Sequence, residues 1–144
     1  MQKESEIVLE LAKDFIQTME SSGEKWEKAF LRFNIDETQF GSGGSYITNG
    51  QVKILDVFDS DAFIDRMCDR FNKLYGLFKE NKKPFCVVLL VIDSEFNFKV
   101  LYEYSNPTKW HITKIDSDGI PQGYDVNTEL DSPAPVSKKW WKLW

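Results

Sequence analysis

The stretch FCVVLLVIDSEFNFKVLYEY, residues 85–104, decides the fold. From Phe85 to Ile92 both alternating sets are apolar: Phe85, Val87, Leu89 and Val91 on one side, Cys86, Val88, Leu90 and Ile92 on the other. Such a strand belongs inside a sheet with cover on both faces. A polar turn from Asp93 to Asn97 follows. Beyond it Phe96, Phe98, Val100, Tyr102 and Tyr104 alternate with Asn97, Lys99, Leu101 and Glu103, which predicts a half-exposed partner strand. The two strands hold no constellation of nucleophile, hydride acceptor or metal cage, so the hairpin is read as scaffold and surface.

Upstream, Asn81-Lys82-Lys83-Pro84 ends a helix, because the residue before proline disfavours helical backbone. Its apolar stripe is Phe63, Met67, Phe71, Leu74 and Phe78, with Asp59 or Ser60 as cap and Asp61 in the first turn. Earlier still, Asn49-Gly50 is the commonest type I′ hairpin pair, set between Tyr46-Ile47-Thr48 and the run Val52 to Val57. Gly41-Ser42-Gly43-Gly44 has the composition of a flexible turn. Trp26 to Ile35 alternates as a strand, with Ala29, Leu31, Phe33 and Ile35 on a buried face. Its other face carries Lys28, Arg32 and Asn34 beside Trp26 and Phe30, and is expected to be wet. From Glu4 to Glu20, Val8, Leu11, Ala12, Phe15, Ile16 and Met19 mark an amphipathic helix stopped by Ser21, Ser22 and Gly23.

Downstream of Asn106-Pro107 the periodicity fades into Gly- and Pro-punctuated sequence ending in KKWWKLW, with at most one helical turn at the end. The expected architecture is therefore α+β: a mainly antiparallel sheet of about five strands, two helices on one face and an irregular Trp-rich tail against the other. Residues 1–144 form one domain, with 1–105 as core and 106–144 as an extension packed on it. The tail supplies the second cover through such residues as Trp110, Trp140, Trp141 and Trp144, or leaves a tryptophan exposed as an interface anchor.

Composition excludes several functions. A net charge of −5 argues against life on phosphate backbones and favours a basic partner. The N-terminal residues lack the pattern of a signal peptide, and no run reaches membrane-spanning length, so a cytosolic protein without membrane contact is expected. Cys68 and Cys86 are expected to be buried reduced thiols. His111 is the only histidine, and no Ser-His-Asp, Cys-His, P-loop or H-E-x-x-H signature accompanies it. DSDG at 116–119 begins like a calcium loop but has Asn127 where the glutamate is needed, and GSGGSY lacks the lysine and helix of a phosphate loop. No enzyme, cofactor or metal is expected. Base stacking on Phe98, Tyr102 and Tyr104 is opposed by Glu95, Glu103 and Asp116, leaving a single-stranded nucleic acid, or another protein, as the alternative partner of a non-catalytic binding module.

The order of elements, with WEKAFLRFNID, FIDRMCDRFNKLYGLF and PFCVVLLVIDSEFNFKVLYEY, resembles the YezG-like family of immunity proteins (antitoxins) over roughly residues 5–105. That resemblance implies a cytosolic α+β protein that binds and neutralises a toxin domain, frequently a nuclease, delivered between competing bacteria. It implies no catalytic residue. Contacts are expected from the acidic loops at Asp36-Glu37 and Asp116-Asp118, with Trp110 or Trp144 as anchor.

Overall fold

The computed structural model describes residues 2–55, 61–113 and 118–130. It contains helix α1 (Gln2–Ser21), strands β1 (Lys28–Ile35), β2 (Phe40–Thr48) and β3 (Gln51–Ile54), helix α2 (Asp61–Glu80), and strands β4 (Val87–Asp93) and β5 (Phe98–Glu103). The strands form one antiparallel sheet in the order β3-β2-β1-β4-β5. The fold is α+β, with both helices on one face. The expected caps Asp59 and Ser60, and the terminal KKWWKLW, lie outside the described residues.

The predicted helix stripes are the ones that pack. Val8, Leu11, Phe15, Ile16 and Met19 of α1 meet Phe63, Met67, Phe71, Leu74 and Phe78 of α2 over Leu31, Phe33, Val88, Leu90 and Ile92 of the sheet. Phe33 stacks on Phe71 at 4.9 Å between ring centres, a geometry that adds to simple area burial. Helix α2 closes with Lys82 at a φ of 60°: Lys83 N donates to Phe78 O and Lys82 N to Lys79 O, each at 3.0 Å. This double reach back satisfies carbonyls that the helix end leaves open.

Strand β4 is covered on both sides as its composition demands. Val88, Leu90 and Ile92 face the helices, while Val87, Leu89 and Val91 join Phe30 and Trp110 in a second core. The second cover is a strap made by residues 106–113 and 118–130, which brings Trp110, Ile112, Ile120, Tyr124, Val126 and Leu130 onto the sheet.

That segment corrects the reading of β1. Its supposedly wet face lies beneath the strap: Phe30 is fully buried against the edge of Tyr124 and Arg32 is 8% exposed. Arg32 donates Nε to Lys109 O and Nη2 to Pro107 O, each at 2.8 Å, and Nη1 to Asn34 Oδ1 at 3.2 Å. Lys28 Nζ donates to Val126 O. The polar residues of this face are thus pins for a covering chain. Trp26 departs from its predicted face as well; it precedes β1 and packs in the helix-side core.

The glycine run is also corrected. Gly41 to Gly44 lies inside β2, and the turn before it is Asp36 to Gln39, where Asp36 Oδ1 accepts from the amides of Thr38 and Gln39. Gly44 is required by approach rather than by turn geometry, since a Cβ there would meet Phe30 O at 2.8 Å and Leu55 Cδ1 at 2.5 Å. Asn49-Gly50 does make the predicted turn, with φ of 50° and 74°. Cys68 and Cys86 are unlinked, and half-buried rather than buried.

Candidate functional site

Antiparallel pairing gathers four connections at one end of the sheet. The β1 start, β2 end and β4 end meet where Lys28 pairs with Ile47 and Asp93. The α1–β1 link, the Asn49-Gly50 turn, the Asp93–Asn97 turn and the strap around Val126 therefore share one rim. Backbone bonds fix it: Glu27 N donates to Ile47 O at 2.8 Å and Ser94 N to Glu27 O at 3.0 Å.

This rim is acidic and concave. One hollow of about 360 Å³ is lined by Glu20, Glu24 and Glu27 with Lys25, Trp26, Asn49 and Ser94. A second, of about 390 Å³, is lined by Glu27, Asp93 and Glu95 with Lys28, Ile47, Ser94, Val126 and Asn127, so Glu27 and Ser94 border both and carboxylates outnumber the two lysines. Trp26 is the fixed floor, 5% exposed, with its indole Nε1 donating to Glu20 Oε2 at 3.1 Å. Glu24 sits 3.7 Å from Lys53 Nζ. Burial first, and then hydrogen bonding to the Glu24 carboxylate, pushes the Tyr46 hydroxyl above its ordinary pKa.

The carboxylates differ in what remains of their acceptor capacity. Asp93 is spent on its own turn, accepting from the amides of Glu95 and Asn97 at 3.0 Å and from Asn97 Nδ2 at 3.2 Å. Glu27 is exposed, and its backbone N–H and C=O make the two bonds that fix the rim. No group of three or more His, Cys, Asp or Glu with metal-binding geometry occurs among the described residues. What this surface can do chemically is attract and seat ammonium and guanidinium groups.

A second polar cluster has a structural explanation. Asp14 on α1 accepts from Arg66 Nε at 2.7 Å, from Arg66 Nη2 at 2.9 Å and from Arg70 Nη1, at the floor of a hollow of about 410 Å³. Burial alone would raise the Asp14 carboxyl, yet the two guanidiniums hold it below the usual carboxylate range. The cluster ties α1 to α2.

The residues anticipated from sequence are dispersed. Asp36 and Glu37 form the exposed β1–β2 turn at the opposite end of the sheet, where the Asp36 carboxylate is held by the Thr38 and Gln39 amides. Asp118 is exposed in the strap and accepts from Ile120 N at 3.0 Å. Trp110 is 7% exposed within the second core, and Lys109 Nζ lies 5.4 Å from its ring centre. Asp116 and Trp144 lie outside the described residues. Phe98 and Tyr102, considered for base stacking, pack towards the helix-side core, and Tyr104 alone of the three is exposed, at 41%. His111 is exposed in the strap, its carbonyl accepting from Gln122 N.

The rim carboxylates escaped sequence reasoning because residues 20–27 and 93–95 are neighbours only through the sheet register. The available signal was that Glu24-Lys25-Trp26-Glu27 leads into β1 while Asp93-Ser94-Glu95 closes β4, ends that antiparallel pairing brings together. Compared with known proteins, the chain matches no family model and no curated protein. No helix among the described residues is long and apolar enough to cross a membrane.

Proposed function

We propose that this chain is a non-catalytic immunity protein that acts in the cytoplasm, binding a cognate toxin domain, a nuclease with a basic surface, and occluding its active site or substrate surface. The carrying observation is the pair of adjoining hollows at one end of the sheet, where Glu20, Glu24, Glu27, Asp93 and Glu95 outnumber Lys25 and Lys28. A nuclease presents Lys and Arg to phosphate, and carboxylates carry the same sign of charge to those positions. The likeness of WEKAFLRFNID and FKVLYEY to the YezG-like pattern supports the same reading.

Co-expression with the product of the neighbouring gene tests it. Growth rescue and a stable co-purifying complex are expected, with the complex weakened by Glu20→Lys, Glu24→Lys and Glu27→Lys together. No rescue and no complex would overturn the immunity reading. Binding undiminished by the triple reversal would overturn the choice of surface.

A further inference from the structure

The two edges of the sheet are unlike. Strand β3 is short, four residues, and its Lys53 is held by Glu24 beside the edge, two devices that keep an edge from pairing. Strand β5 is six residues long, contains no proline and, among the described residues, pairs with β4 alone. The bond from Asp93 N to Asn97 O sets the alternation, so Val91:Lys99 and Leu89:Leu101 are the hydrogen-bonded pairs. The N–H and C=O groups of Phe98, Val100 and Tyr102 consequently point away from the sheet. Among the described residues no hydrogen bond to them is formed outside the sheet ladder.

The side chains of this edge are complementary to themselves. A two-fold axis through Leu101 sets Leu101 against Leu101 of a second copy, Lys99 against Glu103, and Val100 against Tyr102. In that register Val100 and Tyr102, whose backbone groups are turned outward, face each other as hydrogen-bonded pairs. Lys99 makes no ion pair among the described residues. Glu103 is already engaged, Oε2 accepting from the amides of residues 104–106 and from Ser105 Oγ and Oε1 meeting Lys109 Nζ at 3.3 Å, so the Lys99 of a second copy joins it at the remaining acceptor position of Oε1. A lone lysine blunts an edge; a lysine and a glutamate four residues apart on one face restore complementarity when the strand is inverted.

We infer that β5 is a self-association edge: two copies of this chain pair through antiparallel β5 strands centred on Leu101, joining their sheets into one. The interface is isologous, so each contact occurs twice and growth stops at two copies. The inference is independent of the toxin-binding reading, because the acidic rim and the central part of β5 are different surfaces.

Sedimentation equilibrium of the full chain tests this, at loadings from about 1 to about 300 μM, where a small interface titrates. The expected result is a mass that rises from 16.8 kDa and levels at twice that value. Lys99→Glu is expected to raise Kd about tenfold or more, since two cross-strand pairs become repulsive together. Glu103→Lys is expected to do likewise, and an equimolar mixture of the two variants to regain the dimer, because every 99-to-103 pair is again of opposite sign. A wild-type mass of 16.8 kDa across the range, or a dimer unaffected by Lys99→Glu, would overturn the assignment. Should Glu103→Lys perturb its own turn, Lys99→Glu still decides the question.

Discussion

Replacing Arg32 by methionine should release the strap. The substitution keeps the aliphatic stem in place and removes the donors to Lys109 O, Pro107 O and Asn34 Oδ1. A bond from a charged donor contributes about 1.5–3 kcal/mol, and two backbone carbonyls lose one each. Against this stands the cost of burying the guanidinium, which is also why burial lowers the Arg32 pKa from its ordinary value. A net loss of about 3 kcal/mol follows, which at a urea slope of about 2 kcal/mol per M lowers the midpoint by about 1.5 M. Arg32→Lys keeps the charge but loses the planar fork, so about half of that shift is expected. Equilibrium urea unfolding measures both variants. Trypsin cleavage after Lys109, monitored below the transition, should accelerate in step with the opened strap. A midpoint shift under about 0.5 M for Arg32→Met would mean that the apolar residues of the strap and the Lys28 bond to Val126 O hold it without Arg32, and that the argument for Arg32 as a pin is wrong.

Other outcomes follow from the same geometry. Gly44→Ala should cost about 2 kcal/mol or more, because its Cβ meets the immovable Phe30 carbonyl, whereas Gly43→Ala, whose Cβ meets nothing within 4 Å, should fall within about 0.5 kcal/mol of wild type; paired thermal melts compare them. Asp14→Asn should destabilise by about 1–3 kcal/mol in urea unfolding, the Arg66 contribution being discounted because that side chain is 48% exposed. Hydrogen bonds from the Ser105 and Asn106 amides hold the Glu103 carboxyl at about 2, below its model-compound value of 4.5. A depressed folded-state pKa gives stability that is present above about 4.5 and is lost as pH falls towards 2, so the acid limb of the stability profile should be shallower in Glu103→Gln.

The helices, β4 and the Asn49-Gly50 turn were legible because each depends on residues adjacent or one turn apart. Phe63, Met67, Phe71, Leu74 and Phe78 specify a helical face wherever the helix packs, and two apolar faces on β4 demand two layers of cover. The glycine run was not legible: nothing local distinguishes a flexible Gly41–Gly44 turn from a strand whose Gly44 must pass the Phe30 carbonyl. Arg32 looked like a solvent-facing residue because its carbonyl partners belong to an aperiodic segment. The candidate site was legible only in kind. A net charge of −5 raised the expectation of a basic partner, but placing the carboxylates on one rim required the pairing of Lys28 with both Ile47 and Asp93.

The strap also imposes an order of events on a nascent chain. Arg32 and the carbonyls it grips are separated by 77 and 75 residues. At a synthesis rate of about 5–20 residues per second, β1 waits about 4–15 seconds between its own emergence and that of its cover. Helices and hairpins form in microseconds, so the helix-side layer can assemble long before the strap exists. During that interval Phe30 lacks Tyr124, and once β4 has joined the sheet Val87, Leu89 and Val91 lack Trp110. Slowing translation between the β4 and strap codons should therefore increase chaperone association and aggregation of this chain, while leaving the finished molecule unchanged.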